Sequence, residues 1–406
     1  MKSKKRNWLK LSLQGGTLLA IVAFILYGIF FGEQRADPEA YCPFGGLQAI
    51  GSYLHNNSLA CSMSMAQIMM GVVLAVGVIL FSKLFCGYLC PLGTIGEYLG
   101  KGGRKLKMNF DLKPGGIADR GLRIVKYGLL FVVFYMSVSS SELFCKNFDP
   151  YYAMATGFKG EITAWMTSIS IVLLFLGSFF IKMFWCKYIC PLGALSNIFK
   201  FTITFVGILL LFWLLGWAGL PSAWVWALGA ACLIGYLYEM IYLRSKVFPL
   251  LRIVRDAESC NGCGSCTKKC PYHIDLKELK TVRHIDCTLC GDCVSSCPKG
   301  SLQVGGKKSL RWLPGILTIV LFVLALILGN QWELPTIDER WGNTEQVGEM
   351  KTFEMEGLTS IKCYGSSKAF SAKMQKVPGV YGVKTFVKRH AVVISLTLFR
   401  YRISTR

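Results

Sequence analysis

Two short cysteine runs in the C-terminal half of this 406-residue chain carry its clearest chemical signal. The first reads CNGCGSCTKKCP from Cys260 to Pro271, and the second reads CTLCGDCVSSCP from Cys287 to Pro298. Both have the spacing Cys-x-x-Cys-x-x-Cys-x-x-x-Cys-Pro. Three cysteines in a tight turn can offer thiolates to three irons of one cubane, and a fourth follows after a short helical turn. The spacing therefore predicts two [4Fe–4S] clusters.

This run is typical of bacterial two-cluster ferredoxins, in which the fourth cysteine of each run ligates the other cluster. The predicted ligands form two sets, one of Cys260, Cys263, Cys266 and Cys297 and one of Cys287, Cys290, Cys293 and Cys270. A pair of Cys₄ zinc sites is the alternative, but two copies of the cubane spacing favour the clusters. Two clusters side by side in a small module predict one-electron transfer.

A second cysteine pattern, Cys-x-x-x-Cys-Pro-Leu-Gly, occurs twice, each time just after an apolar stretch. It places Cys86 and Cys90 in the first copy and Cys186 and Cys190 in the second. Each copy closes a unit of two apolar segments, so the units should be related by a pseudo-twofold axis along the membrane normal. The four thiols would then meet near one membrane face. An additional iron–sulfur or redox site and a structural or partner-docking role both remain open for them.

Membrane helices are the elements that must position these cysteines. Hydrophobic residues make up 53% of the chain, and seven stretches approach the ~20 apolar residues that a helix needs to cross a bilayer. They are residues 11–31, 65–85, 123–140, 164–185, 199–218, 223–243 and 312–329. Backbone amides in lipid must be bonded within their own segment, so all seven are predicted to be helices.

The chain has a net charge of +22, and its basic residues are distributed in a way that indicates membrane topology. Basic residues fill the N-terminal stretch MKSKKRNWLK and the loop within 86–122, whereas Arg35 is the only basic residue between the first two apolar stretches. The positive-inside rule then places the N-terminus and this loop in the cytoplasm. Seven crossings put residues 244–311 inside and 331–406 outside. We expect the lipid bilayer, with its anionic headgroups, as the partner of this charge, and no nucleic acid.

Cysteine is abundant, with 17 residues. Most are predicted near the cytoplasmic face, where thiols stay reduced, so metal or redox chemistry is favoured over disulfides. Cys42 and Cys145 occupy corresponding positions in the two repeats, on the opposite face. We interpret this pair as a candidate outer metal site.

The paired CxxxCPLG motifs followed by a two-cluster ferredoxin run resemble the NapH/NosR/CcoG-type membrane polyferredoxins over residues 1–330. The resemblance implies electron transport at a bacterial cytoplasmic (inner) membrane. A quinol or a cytoplasmic donor would supply electrons, and a respiratory or metalloenzyme-maturation partner would receive them. Such a carrier need not be an enzyme by itself. Two alternatives remain open: a Cu(II) reductase of the CcoG type, and a non-redox membrane sensor or assembly factor.

The C-terminal tail resembles the heavy-metal-associated domain. Residues 357–359 match its Gly-Met-Thr loop, residues 378–380 match its Pro-Gly-Val turn, and the segment is predicted to alternate strand, helix, strand, strand. The first metal cysteine of that family is Ser360 here, and only Cys363 remains. Soft Cu(I) favours two thiolates, so a metal site on Cys363 and a degenerate docking module both remain open. The last helix and strand of the family are expected to be absent.

We therefore predict a mainly α protein, a polytopic membrane helical bundle with an inserted ferredoxin module and a small α/β ferredoxin-like tail. Its predicted parts are a membrane domain at 1–243 with two repeats (about 1–100 and 101–200), a two-cluster ferredoxin domain at 244–310, a membrane helix at 311–330 and an extracytoplasmic tail at 331–406.

Overall fold

The computed structural model divides the chain into two compact units. The first comprises residues 1–39, 72–133 and 145–324, and the second comprises residues 40–71, 134–144 and 325–406. The structure describes residues 6–31, 42–56, 65–110, 112–140, 144–158, 162–220, 223–241, 250–277, 279–331, 333–341, 351–361, 364–387 and 389–396.

Helices dominate the part of the chain that precedes the cysteine runs. They are α1 (Trp8–Phe31), α2 (Pro43–Asn56), α3 (Met65–Phe81), α4 (Leu84–Tyr88), α5 (Pro91–Lys105), α6 (Ile117–Ser140), α7 (Pro150–Ala155), α8 (Ala164–Val172), α9 (Ser178–Phe180), α10 (Pro191–Lys200), α11 (Thr202–Trp217) and α12 (Ala223–Ile241). Two π-helical turns, Leu173–Gly177 and Trp185–Ile189, and a 3-10 turn, Phe144–Asn147, lie between them.

Each of the seven predicted membrane segments coincides with a helix, but the helices differ in length. Four are long and apolar enough to cross a membrane: Trp8–Tyr27, Ile117–Ser139, Trp224–Ile241 and Lys308–Gln331. A fifth span is possible if α10 and α11, which are bent by 99° to each other, count as one broken span. Helix α3 has 17 residues and is about 25 Å long, short of a hydrocarbon core of about 30 Å. Seven full crossings therefore stay a prediction.

The cysteine runs form a small module inside the first unit. Strand β1 (Ile253–Arg255) precedes the first run and pairs antiparallel with β2 (Leu302–Val304), which follows the second run. Each run contains one short helix, α13 (Ser265–Lys269) or α14 (Asp292–Ser296), and helix α15 (Leu313–Gln331) follows the module. Because β1 and β2 close the module at its two ends, the two runs are held side by side.

The described part of the tail, in the second unit, is a four-stranded antiparallel sheet with one helix. Its elements are β3 (Ile337–Arg340), β4 (Lys351–Met355), α16 (Tyr364–Met374), β5 (Val380–Phe386) and β6 (Ala391–Leu396), and the strand order is β3-β5-β6-β4. In the segment that begins at Gly357, the predicted helix and last two strands are present as α16, β5 and β6, but the described residues 357–361 form no strand. Strands β3 and β4, which precede this segment, were not predicted. Gly357 and Gly379, in the matched loop and turn, have positive φ angles of 79° and 87°, which favour glycine. Cys363 lies outside the described residues.

Candidate metal centres

The first cavity of the ferredoxin module is lined by all four cysteines of the first predicted set: Cys260, Cys263, Cys266 and Cys297. Arg255 and Lys277 also line it. Cys263 is exposed. Hydrogen bonds from the Gly262 backbone and the Arg255 side chain lower the pKa of Cys260, so the thiolate is favoured at this surface.

The second cavity is lined by the complementary set: Cys270, Cys287, Cys290 and Cys293. Its other lining residues include Ile253, Leu289 and Tyr272. Burial raises the pKa of Cys270 to about 11 and also raises the pKa of Cys287, Cys290 and Cys293. These thiols would stay protonated at neutral pH unless a metal ion binds and deprotonates them.

Both cavities fit a cluster better than a single ion. Within the ranges that the structure describes, no three His, Cys, Asp or Glu side chains converge as they would around one metal ion. Instead, four soft sulfur donors surround each cavity, and thiolates are the ligands of iron–sulfur cubanes. A wide cavity with sulfur donors around it suits a cubane better than a single zinc ion, whose four ligands would have to converge on one point.

The two membrane Cys-x-x-x-Cys turns have the same backbone geometry. The N–H of Cys90 donates to the carbonyl of Phe85 at 2.9 Å, and that of Cys190 donates to the carbonyl of Trp185 at 2.8 Å. Each second cysteine is extended (φ −63°) and is followed by a proline in the first turn of a helix, α5 or α10. Proline suits this position because the first helical N–H groups have no partner within the helix.

The glycine of Pro-Leu-Gly lets each helix approach its own turn. A Cβ at Gly93 would lie 2.8 Å from the Cys86 carbonyl oxygen, and a Cβ at Gly193 would lie 2.8 Å from that of Cys186. The Gly93 N–H also donates to the Cys90 Sγ at 3.4 Å. The motif is therefore a compact turn that ends one helical segment, presents two thiols and starts the next.

The thiols of the two copies lie close enough to interact. Burial and the neighbouring Cys86 and Cys186 raise the pKa of Cys90, and burial and Cys86 raise the pKa of Cys190 to about 12. Next to Cys186, the buried indole N–H of Trp185 has no hydrogen-bond partner among the described residues. We call this four-cysteine group the inner site. It offers four thiols and an unused N–H, a donor set that suits an iron–sulfur centre.

Both copies of the turn contact the second ferredoxin cavity, a contact that sequence reasoning missed. In the first copy, the Tyr88 hydroxyl donates to the Cys290 carbonyl at 3.0 Å, and the Ser82 hydroxyl donates to the Cys287 carbonyl at 2.8 Å. In the second copy, Lys187 Nζ donates to the Tyr272 carbonyl at 3.2 Å. The second cavity therefore lies against the inner site, while the first faces solvent.

Two buried lysines lie between these sites. Lys200 Nζ donates to the carbonyls of Ile285 and Cys287 at 2.6 and 2.8 Å, and Lys83 Nζ donates to the Gly193 carbonyl at 3.3 Å. Among the described residues neither ammonium is paired with a carboxylate. Such buried cations need a counter-charge, which thiolate-bound centres on either side would supply. Lys83 lies near the end of the apolar stretch 65–85 and Lys200 near the start of the stretch 199–218, and sequence reasoning singled out neither.

Buried ion pairs hold the module on the membrane helices. Arg123 of α6 bonds Asp286, which precedes Cys287, and also pairs with Asp119 and with Glu239 of α12. A second group joins Lys10 of α1 to Glu97 at 2.8 Å and to Asp292 of α14 at 2.6 Å. Although burial alone would raise it, the ammonium groups of Lys10 and Lys101 lower the pKa of Glu97 to about 2.

The predicted outer pair falls in different units. Cys145 is buried in a 3-10 turn of the first unit, and Cys42 precedes α2 in the second, where its carbonyl accepts from Gln67 Nε2 at 3.3 Å. An outer metal site on this pair stays a prediction.

Comparison with known proteins identifies the domains that carry these cysteines. The family described as "4Fe-4S binding domain" matches residues 63–109 and 163–203, and the family described as "4Fe-4S dicluster domain" matches residues 252–298. YccM of Escherichia coli, which is named for electron transport, is 29% identical over 62% of this chain and 58% of its own length. The "Regulatory protein NosR" of Stutzerimonas stutzeri is 34% identical over 30% of this chain and 17% of its own. This chain is similar to the membrane-type 4Fe–4S polyferredoxins.

Further comparisons agree with this similarity but cover only part of the chain. The "Ferredoxin-type protein NapH" of Haemophilus influenzae is 31% identical over 29% of this chain and 38% of its own length. The chain thus spans less than two thirds of these relatives, and no solved structure matches it. The family matches end at residue 298, so the resemblance of the tail to heavy-metal-associated domains stays a prediction.

Proposed function

We propose that this chain is a membrane-bound carrier of single electrons, with the exposed first cluster, the buried second cluster and the inner site in series. The observation that carries the proposal is the contact of the second cavity with both Cys-x-x-x-Cys turns, through Tyr88 and through Lys187. The [4Fe–4S] clusters supply reversible one-electron chemistry when bound. The protein supplies the thiolates, the apolar shell and the fixed separation of the sites.

The ligands of the two ferredoxin clusters are, in this proposal, the crossed sets that line the two cavities. The inner thiols Cys86, Cys90, Cys186 and Cys190 would hold a further iron–sulfur centre. Two observations support the inner centre: both matched segments of the "4Fe-4S binding domain" contain these cysteines, and the buried Lys83 and Lys200 lie close enough to Cys86 to favour its thiolate form.

Iron and sulfide analysis after anaerobic purification tests this proposal. Two cubanes give about eight irons per chain, and an inner centre adds to that number. In Cys90→Ser/Cys190→Ser the iron content should fall toward about eight, with the ferredoxin signals retained. Zinc in place of iron would overturn the cluster assignment. An iron content that the double variant leaves unchanged would overturn the inner centre and make the four thiols architectural.

For its place in the cell we propose a bacterial cytoplasmic membrane, with the N-terminus and the ferredoxin module inside and residues 331–406 outside. The basic N-terminal stretch and the 86–122 loop support this orientation. Alkaline phosphatase fused after residue 345 should be active, whereas a bright cytoplasmic fluorescent fusion at the same position would overturn the orientation.

A second candidate function is reduction of Cu(II). The electron donor, a quinol or a cytoplasmic molecule, and the partner protein are still to be identified. The metal-domain-like elements α16, β5 and β6 favour Cu(II) reduction. Anaerobic mixing of the reduced protein with Cu(II) separates the candidates: stoichiometric Cu(I) formation that is lost in Cys363→Ala supports the reductase. Clusters that resist reversible reduction would instead indicate the third possibility, a non-redox sensor or assembly factor.

A further inference from the structure

A third cavity borders the second ferredoxin cavity and shares the lining residues Val282, Cys287 and Leu289 with it. Ser82, which follows α3, and Lys200, the last residue of α10, also form part of its wall. Its lining includes four side chains that end in nitrogen donors: Lys200, Arg252, Arg283 and His284. No described Asp or Glu residue lines it, so we call it the basic cavity.

Lys200 is the buried cation of the basic cavity, with only 2% of the residue exposed. Its ammonium donates to the carbonyls of Ile285 and Cys287 at 2.6 and 2.8 Å, and an ammonium has three N–H donors. One donor is therefore left over, and no carboxylate in the described part of the chain pairs with this charge. A buried cation is costly without a counter-charge, so an anion in the cavity would accept the remaining hydrogen bond and offset the charge.

Arg252, Arg283 and His284 add further donors to the basic cavity. Arg283 is exposed, and burial and this neighbouring guanidinium lower the pKa of Arg252, so two like charges repel each other at this wall. An anion in the cavity would offset the repulsion. His284 Nδ1 accepts from the Asp286 N–H at 3.2 Å, which leaves Nε2 to carry the hydrogen of a neutral ring and to donate it.

The basic cavity lies where membrane helices meet the ferredoxin module. The Leu250 N–H donates to the Leu80 carbonyl of α3 at 2.7 Å, which holds the start of the module against the end of that helix. Directly after Lys200 the chain bends by 99° into α11. The first three turns of α11 expose apolar side chains at helical spacing: Ile203, Val206 and Leu210. A phosphate in the cavity would therefore have an exposed apolar helix face next to it.

We propose that the basic cavity is a phosphate-binding site and that the headgroup of an anionic phospholipid occupies it. Guanidinium and ammonium groups bind phosphate through charge-assisted hydrogen bonds, and basic pockets between membrane helices bind anionic headgroups. A free phosphate ion fits the same donors, but it would leave the apolar face of α11 uncovered, whereas the acyl chains of a lipid would cover it. The lipid phosphate would lie beside Cys287, a predicted ligand of the second ferredoxin cluster.

Lipid titration of the full-length, cluster-loaded protein in detergent tests the occupant. Native mass spectrometry counts the bound molecules of phosphatidylglycerol, and of phosphatidylcholine with the same acyl chains. We expect one phosphatidylglycerol to bind at least several-fold more tightly than phosphatidylcholine, because the choline cation offsets the charge of the phosphate. An excess of inorganic phosphate should not displace this lipid, because the free ion makes no contact with α11.

Two variants and a control test the location of the site. Arg283→Gln and Lys200→Met each remove one cation from the basic cavity and should weaken the binding of this phosphatidylglycerol several-fold. Lys280→Gln removes an exposed charge from the same module without changing the lining of the cavity, so it should bind the lipid like the natural protein. Visible absorption shows whether each variant keeps its ferredoxin clusters. If Lys200→Met does not assemble, Arg283→Gln decides, because its position is exposed.

Equal binding of phosphatidylglycerol by the natural protein and by Arg283→Gln would overturn the site. Displacement of the lipid by inorganic phosphate, with weaker phosphate binding in Arg283→Gln, would keep the phosphate site and overturn the lipid as its occupant. Both results would leave the proposed function standing, since electron transfer between the clusters does not require the lipid.

Discussion

Nη2 of Arg123 lies 2.8 Å from the Asp286 carboxylate, and both side chains are almost completely buried. Asp286 is the residue before Cys287, a cysteine of the second cavity, and Arg123 belongs to a candidate membrane-spanning helix. This ion pair thus fixes the ferredoxin module to the membrane helices directly beside a predicted cluster ligand. The module is not attached through the connecting chain alone.

Arg123→Met should destabilise this attachment strongly. It leaves the carboxylates of Asp119, Glu239 and Asp286 buried with one cation fewer, and breaking such a buried group costs about 3–5 kcal/mol. Thermal unfolding in detergent should show a lower midpoint and early loss of cluster absorption. Arg120→Ala, an exposed position on the same helix, is the control and should unfold like the natural protein. Equal stability of the two variants would show that the ion pairs do not hold the module.

The crossed ligand sets predict a reciprocal result for two serine variants. Cys270→Ser should damage the cluster of the second run, and Cys297→Ser should damage that of the first, because each cysteine lines the cavity of the opposite run. The exposed first cluster and the buried second cluster should differ in their accessibility to a water-soluble chelator. Damage confined in each variant to the cluster of the same run would contradict the crossing.

Gly93→Ala should disturb the inner site. The new Cβ would lie 2.8 Å from the Cys86 carbonyl, and overpacking of this kind costs about 1–3 kcal/mol. Iron should be lost from the inner centre while the ferredoxin clusters remain. Gly102→Ala on the same helix is the control, since its Cβ would come no nearer than 4.0 Å to a ring atom of Phe179. Retention of inner iron in Gly93→Ala would refute the close approach.

Glu97 predicts a pH dependence of stability. Its pKa is lowered from 4.5 to about 2, so the carboxylate contributes stability that is complete above the unfolded value and is lost as pH falls from about 5 to about 2. The shift corresponds to roughly 3 kcal/mol. The difference in unfolding free energy between the natural protein and Glu97→Gln should therefore shrink over this range. A difference that does not change with pH would exclude the ion pair with Lys10 as its source.

Local sequence patterns predicted the structural features that depend on residues close together in the chain. The spacing of the cysteine runs anticipated which thiols line each cavity, apolar stretches anticipated the positions of the helices, and the Pro-Gly-Val turn anticipated β5 and β6. The 99° bend at Phe201 and the pairing of β3 with β5 were missed. The hydrogen bond from Lys187 to the Tyr272 carbonyl was also missed, because it joins segments far apart in sequence that have no shared periodicity.

Trp185 makes the two halves of the inner site unequal. Trp185 stands where the first half has Phe85, since the N–H groups of Cys190 and Cys90 donate to their respective carbonyls, but Trp185 begins a π turn whereas Phe85 lies in α4. If the two halves were identical, electron transfer into the inner site would have two equivalent routes. With Trp185 in one half only, its buried N–H, which has no hydrogen-bond partner among the described residues, lies beside Cys186 and not beside Cys86, so a duplicated scaffold acquires two chemically different sides.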